Sequence, residues 1–284
     1  IAIIGKTKQF TDSITRSSKV LNKFGNVAAG IGKATAAGLG IATVAAATAG
    51  REIVNLASDA NEARSAFETT FGKAVPELSG FVDDFANKAG LAAFELEGLL
   101  TQSGAVLQGI EFTAEGSADL SQKLATLAGD VASFSNVQGG AQPVLEAFTK
   151  ALLGERESLK TFGIAILEAD VQQQAFIMTG KTSAKELTKQ EKALATYELL
   201  LQKTKVQQGD LNRTQESFAN KSREATAKLK ELKVQMGNEL LPIAEAMLPV
   251  LMEFVAALSP AIVDAIKAAA PFIQAIGDLI AAIA

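Results

Sequence analysis

The stretch that decides the fold is PELSGFVDDFANKAG, residues 76–90. Its apolar side chains recur every three or four positions, which is the spacing of one face of an α-helix. Pro76 suits the first turn of a helix. Backbone N–H groups in the first turn have no intrahelical acceptor, so the N–H that proline lacks is not needed there. Gly90 suits the end of the same helix. The stretch therefore predicts an amphipathic helix with one face buried in a core.

Two more helices are indicated in the same way. Apolar residues at helical spacing predict one helix within Leu120–Val131 and another within Pro143–Leu153, where Gly154 marks the end. The only short candidate for a strand is residues 162–166, FGIAI. We therefore expect an all-α fold, with a compact helical domain flanked by long helices or a coiled coil and by apolar helical ends.

The composition excludes several classes of site. The 284 residues contain no His and no Cys, so a zinc site built on these ligands, a Ser-His-Asp triad and thiolate chemistry are all ruled out within this chain. The net charge of −4 gives no general case for nucleic-acid binding, although residues 1–57 carry seven basic and only two acidic side chains. We expect no cofactor and no catalytic activity. Because residue 1 is Ile rather than Met, we expect the chain to be part of a longer protein.

Composition and charge divide the chain into four predicted regions. They are an N-terminal basic and apolar helical arm (1–57), a compact helical core domain (58–180), long polar helices like those of a coiled coil (181–239), and an apolar helical segment punctuated by prolines (240–284). The first and last regions lack a strongly polar face. They therefore need apolar partners, which could be other copies, an enclosing protein or a bilayer.

Two candidate membrane or channel segments lie in these apolar ends. Residues 34–50 carry no charge and include Ala34, Leu39, Ile41 and Val44, but they are rich in Ala and Gly, so membrane insertion is only marginally favourable. In the C-terminal region the spacing is eleven residues between Pro249, Pro260 and Pro271. Eleven residues return to within about 20° of the same helix face, so bends at these prolines fall in one row.

A packing seam is predicted in residues 181–239. Ser183 with Glu186, and Thr188 with Glu191, both have the spacing of a capping box, which predicts a helix start. Apolar residues then recur at heptad spacing between polar ones, as is typical of a helical hairpin or of a coiled coil with another copy. The predicted oligomer seam consists of Leu187, Leu194, Leu201, Leu211, Phe218, Leu229, Leu232 and Met236.

Two sequence motifs that are typical of ligand-binding or catalytic sites give only weak signals here. Gly-Lys-Thr occurs at 5–7 and 180–182, but the glycine that a phosphate-binding loop needs five positions earlier is Ala175 for the second copy. Glu157-Ser158 is similar to the Glu-Ser pair of lytic transglycosylases, yet the chain has no Trp and a single, distant Tyr to form a sugar platform. We expect Glu155 and Glu157 to lie on a solvated turn.

Several stretches, in order, resemble bacteriophage tail tape measure proteins. The resemblance covers about residues 58–249, with Ser158 standing where the family often has Pro. The stretches that carry it are LAGDVASF (127–134), LGERESLKTFGI (153–164), LTKQEKALATY (187–197), GDLNRTQESFAN (209–220) and LLP (240–242).

The resemblance implies a long helical protein in the lumen of the phage tail tube. There it acts as a ruler and scaffold for tail assembly, leaves during DNA ejection and helps DNA to cross the host cell envelope. It also implies homo-oligomers, with a trimer favoured, and contacts with tail tube and tail tip proteins and, transiently, with DNA and the host membrane. The alternative is a membrane-active helical protein that forms a pore or channel.

Overall fold

A computed structural model describes the backbone of residues 39–242, 244 and 245, and the side chains from residue 52 onward within that range. All regular structure among these residues is helical, which confirms the all-α fold class. The chain divides into two units, of which Asn55–Met236 is one and Ile1–Val54 with Gly237–Ala284 is the other. Residues 55–217, which are the part of the first unit that precedes the last described helix, are called the compact unit below.

Nine α-helices are described. Short 3-10 turns lie at Gly72–Ala74, Glu157–Phe162 and Ala184–Glu186. The helices are α1 (Leu39–Phe71), α2 (Val75–Phe85), α3 (Ala93–Gly109), α4 (Ala114–Phe134), α5 (Ala141–Leu152), α6 (Glu168–Thr179), α7 (Lys189–Lys203), α8 (Asp210–Arg213) and α9 (218–242). None of the described helices is both long enough and apolar enough to cross a membrane.

Several predicted helix signals lie where the structure uses them, but Gly90 does not end α2, which stops at Phe85 and is followed by a turn over residues 86–90. Pro76 is in the first turn of α2, and Thr188 caps α7 by accepting a hydrogen bond from the Glu191 N–H at 3.1 Å. Gly154 follows α5 with φ +100°, a conformation that glycine adopts at little cost. The strand candidate at 162–166 is wrong, because the chain leaves a 3-10 turn through a left-handed Gly163 and forms no strand there.

Helix α4 lies at the centre of the compact unit. Twelve of its 21 residues are buried, and it packs against α3, α5 and α8. From α1, the buried rings of Phe67 and Phe71 meet edge to face with their centroids 5.2 Å apart. The loops discussed below connect helices that share this apolar core, and the packed core holds the ends of those loops in place.

The two units do not divide at the predicted boundary of 180/181. The unit that contains residues 58–180 continues to Met236, and α7 packs against α6 and α5 while burying Ala193, Leu199 and Leu200. A long coiled coil over 181–239 is not seen within this chain, because the range is divided among α7 with 15 residues, α8 with four and α9, which begins only at residue 218. A heptad of leucines on one helix face fits burial within the same domain as well as pairing with another chain.

Candidate functional site

The predicted oligomer seam falls into two groups. In the first, Leu187 and Leu211 are buried in the core, Leu201 is partly buried against it, and Leu194 is 37% exposed on α7. The second group lies on α9 and faces solvent. This group, called the α9 seam below, consists of Phe218 (90% exposed), Leu229 (61%), Leu232 (53%) and Met236 (36%).

Helix α9 turns its apolar stripe away from its own domain. At about 100° per residue, the four seam residues fall within an arc of about 60°. Ala227 lies about 180° from them and is buried against the compact unit. Surface helices of globular proteins normally bury their apolar stripe. The reversed arrangement leaves the α9 seam available for another partner.

Polar side chains of α9 make its contacts with the compact unit. Lys230 Nζ lies 2.6 Å from Glu95 Oε1. Next along the helix, Glu231 Oε1 accepts hydrogen bonds from the Ala93 N–H at 3.2 Å and from Asn87 Nδ2 at 3.2 Å. Because Glu95 and Ala93 belong to the first turn of α3, the two α9 residues bind at the start of that helix.

Arg223 brings the backbone of α9 close to a glycine turn. Its guanidinium donates to Asn220 Oδ1 at 2.7 Å and to the side-chain oxygen of Asn136. A Cβ placed on Gly90 would lie 2.7 Å from the Arg223 Cβ, which is closer than van der Waals contact allows. Gly90 also has φ +76°. Both the turn and the close approach therefore require glycine at this position.

A buried carboxylate ties α4 to α8. Asp130 is only 8% exposed, and it accepts hydrogen bonds from the backbone N–H of Gly209 at 2.7 Å and of Leu211 at 3.1 Å. These N–H groups belong to the start of α8, where helical donors lack partners and where a negative charge is favoured. Asp130 thereby satisfies donors that would otherwise be buried without acceptors.

Hydroxyl and amide groups extend this contact to the start of α9. Ser133 Oγ and Thr214 Oγ1 are 2.7 Å apart, and Asn220 Nδ2 donates to both, at 3.1 and 3.0 Å. Asn220 is 6% exposed. Asp130, Ser133, Gly209, Thr214 and Asn220 are called the polar junction below. They come from stretches 127–134 and 209–220, so two separated stretches that carry the tape-measure resemblance meet in one cluster.

The sequence pattern did not single out the polar junction or Arg223. One signal for Asp130 was present, since it stands among Leu127, Ala128 and Val131 on the buried face of a helix. A carboxylate in such a position needs a partner, because burial of an unpaired charge is costly. The identity of that partner, a backbone turn 79 residues later, has no local signal.

An open cleft of about 420 Å³ lies among α1, α2, α3 and α9. At its wall, Arg64 Nη1 lies 2.7 Å from Glu97 Oε1, and Arg64 Nε lies 2.7 Å from Glu68 Oε1. Burial raises the pKa of Glu97, and Arg64 opposes this rise. The guanidinium is thus occupied by carboxylates of its own chain. No group of three or more acidic side chains among the described residues is arranged to hold a metal ion.

The Gly-Lys-Thr motif at 180–182 and the Glu157-Ser158 pair both have structural roles in the described residues. Gly180 ends α6 in the left-handed conformation, and Lys181 Nζ lies 2.7 Å from both carboxylate oxygens of Glu191. The 180–182 stretch therefore forms a helix end and an ion pair. Glu157 is 87% exposed and pairs with Lys160 at 2.7 Å, as expected for a solvated turn. The Gly-Lys-Thr at 5–7 lies outside the described residues.

The stretch 153–164 is likewise structural. Its Leu159 and Ile164 are buried in the core, and Gly163 takes the left-handed conformation that ends the 3-10 turn. Arg156, whose side chain is 11% exposed, lies 2.9 Å from the Glu168 carboxylate. This ion pair joins the turn to the first residue of α6.

The candidate membrane segments are described only in part. Leu39, Ile41 and Val44 lie in the first two turns of α1, where the backbone alone is described. The remaining predicted residues lie outside the described part of the chain, and they are Ala34, Pro249, Pro260 and Pro271.

Comparisons of the chain with protein-family models, with curated proteins and with solved structures found no match.

Proposed function

We propose that this chain acts as a tail tape measure protein of a bacteriophage. In this role it is a ruler and scaffold in the lumen of the tail tube during assembly. It is released during DNA ejection and helps DNA to pass the host cell envelope. It works by geometry rather than catalysis, since a helix advances about 1.5 Å per residue.

One observation carries the proposal: two of the stretches that carry the resemblance, 127–134 and 209–220, meet where α9 joins the compact unit. A ruler needs an extended element anchored at a fixed point. The polar junction supplies such an anchor, because Asp130 binds the Gly209 N–H at 2.7 Å and Asn220 binds Ser133 at 3.1 Å at the start of α9. Part of the resemblance therefore lies where this mechanism needs a defined structure.

The α9 seam supports the proposed partners, which are other copies of this chain. An apolar arc of about 60° is as narrow as the contact line of a coiled coil. The resemblance favours a trimer. Further proposed partners are tail tube and tail tip proteins and, transiently, DNA and the host membrane, and the proposed location is the tail lumen of the virion.

The ruler mechanism is tested by lengthening α9. We would insert one or two tandem copies of residues 224–241, which contain no proline, after position 241 in the phage gene. Each copy adds 18 residues, or five helical turns, so the faces of the helix keep their register. We expect mean tail length, measured by electron microscopy, to increase by about 27 Å per copy.

A matched control adds the same number of residues without lengthening a helix. An 18-residue Gly/Ser segment inserted after Gly154 enters an exposed turn of the compact unit. Tail length is expected to stay the same in that phage. Tails of unchanged length after the α9 insertion, or an equal increase in the control, would count against this helix as part of the ruler.

The alternative function, a membrane-active helical protein, stays a prediction from the sequence. It rests on the uncharged stretch 34–50 and on the proline-punctuated stretch 240–284. The two functions are compatible in time, since a ruler released from the tail meets the host envelope afterwards.

A further inference from the structure

Helix α9 lies on the compact unit with little apolar burial. Among residues 218–236, Ala227 is the only fully buried hydrophobic side chain, and Val234 is partly buried on the same helix face. The hydrophobic contribution to docking scales with the apolar area removed from water, and these two small side chains contribute little. The contact therefore depends on polar groups, chiefly Asn220, Arg223, Lys230 and Glu231.

Two of the polar contacts, those of Lys230 and Glu231, are of the kind that exchange with water and salt. In the Lys230–Glu95 pair, the side chains are 40% and 21% exposed. Partly exposed ion pairs contribute little net free energy, and salt screens them. Glu231 accepts hydrogen bonds from two donors on docking and exchanges them for water when α9 is free, so their net contribution is limited to about 1–3 kcal/mol.

A defined bend lies at the start of α9. Residues 214–217 form a turn between α8 and α9, with the Ser217 N–H donating to the Thr214 carbonyl at 2.8 Å. Before the bend, Asp130 fixes α8 to the core. After it, α9 has ion pairs of its own, such as Lys228 Nζ to Glu224 Oε1 at 2.6 Å, which persist in a free helix.

We propose that α9 is a releasable strap. Residues 218–236 separate from the compact unit as an intact helix by turning about residues 214–217, while the helices of the compact unit keep their packing. Release exposes the face that carries Ala227 and uncovers the start of α3. The inference rests on the contacts of α9 alone and holds whether or not the chain is a ruler.

Single cysteines test the proposal, because the chain has none of its own. In the full-length chain, Ala227→Cys places a thiol on the docked face of α9, and Ala128→Cys places one in the buried centre of α4. We expect a thiol reagent to label the first at least about tenfold faster than the second in native buffer. Raising NaCl from about 0.05 M to about 1 M should accelerate only the first.

Variants on the two sides of α9 show whether docking of α9 on the compact unit controls the rate of thiol labelling at position 227. Glu231→Ala, which removes two bonds to the compact unit, should increase labelling at position 227 by about tenfold. Lys228→Ala removes an ion pair within α9 and should leave this rate unchanged. The far-UV circular dichroism should also stay unchanged in about 1 M salt, because the released helix remains helical.

Three results would overturn the proposal. One is equal labelling of positions 227 and 128 under all conditions, which means that α9 opens only when the whole chain unfolds. Another is labelling at 227 that is insensitive to both salt and Glu231→Ala. A loss of helical signal in salt would show that α9 melts instead of turning as a unit, and it would overturn the proposal as well.

Discussion

Gly104 lets the Phe71 ring lie directly against the backbone of α3. A Cβ at this position would be 2.5 Å from two ring carbons of Phe71, and this ring is fully buried and has no room to move. We therefore expect Gly104→Ala to lower the free energy of unfolding by about 1–3 kcal/mol. Urea denaturation followed by circular dichroism measures the change.

The same helix provides the control. A methyl group added at Gly98 would have no neighbouring atom within 4 Å, so Gly98→Ala adds helix propensity without a clash. It should raise the free energy of unfolding by about 0.5–1 kcal/mol. If both substitutions changed stability in the same direction, helix propensity rather than the Phe71 contact would govern position 104.

For Asp130, the sequence predicts the need for a partner but not the identity of that partner. Its place on an apolar helix face indicates that it needs a partner. That partner is a pair of backbone N–H groups at Gly209 and Leu211. Backbone donors have no side-chain signature, and a contact across 79 positions depends on how the other helices pack. The sequence therefore predicts a buried carboxylate with some partner at position 130, but it does not predict the residues of the polar junction.

Two stretches with the same capping-box spacing form different structures. Thr188 and Ser183 each have a glutamate three residues later, yet only Thr188 forms a capping box. The Ser183 stretch forms a three-residue 3-10 turn without a side-chain cap, because Leu187 takes an extended conformation (φ −73°, ψ 122°) and is buried. Burial of one leucine overrides the local preference, which sequence spacing alone does not reveal.

The predicted seam stays a prediction, and what covers its residues differs between α7 and α9. A heptad pattern specifies a face but not what covers it. On α7 the core covers much of that face, as with Leu201, whereas on α9 the seam residues face solvent. Helix boundaries follow from caps and glycines, but assignment of a face to core or partner requires the tertiary structure.

Self-association through the α9 seam gives a prediction at the scale of a single helix. Leu232→Glu should weaken association of the full-length chain, since burial of one leucine contributes about 2 kcal/mol, or about 30-fold in the dissociation constant. Leu153→Glu is the control, because Leu153 is exposed to nearly the same extent, 52% against 53%, but lies at the end of α5. Sedimentation equilibrium measures both. An equal effect of the two substitutions would contradict a specific interface on α9.

At the scale of the whole molecule, the position of the domain boundary has a measurable consequence. A fragment of residues 55–180 follows the boundary that composition suggested, but it lacks the buried Leu199, Leu200 and Leu211. It also leaves Asp130 without the backbone donors of α8. Three buried leucines contribute about 5–9 kcal/mol, which is comparable to the total stability of a typical domain.

We therefore expect fragment 55–180 to show no cooperative unfolding transition in urea. Fragment 55–236 should unfold cooperatively, and so should fragment 55–217, with nearly the same midpoint. The last expectation follows from the small apolar burial by α9, to which Ala227 and the partly buried Val234 contribute in residues 218–236. If 55–180 were as stable as 55–236, α7 and α8 would be accessory to the core. If 55–217 were unfolded, α9 would be part of the core, because its polar contacts would then be essential for folding.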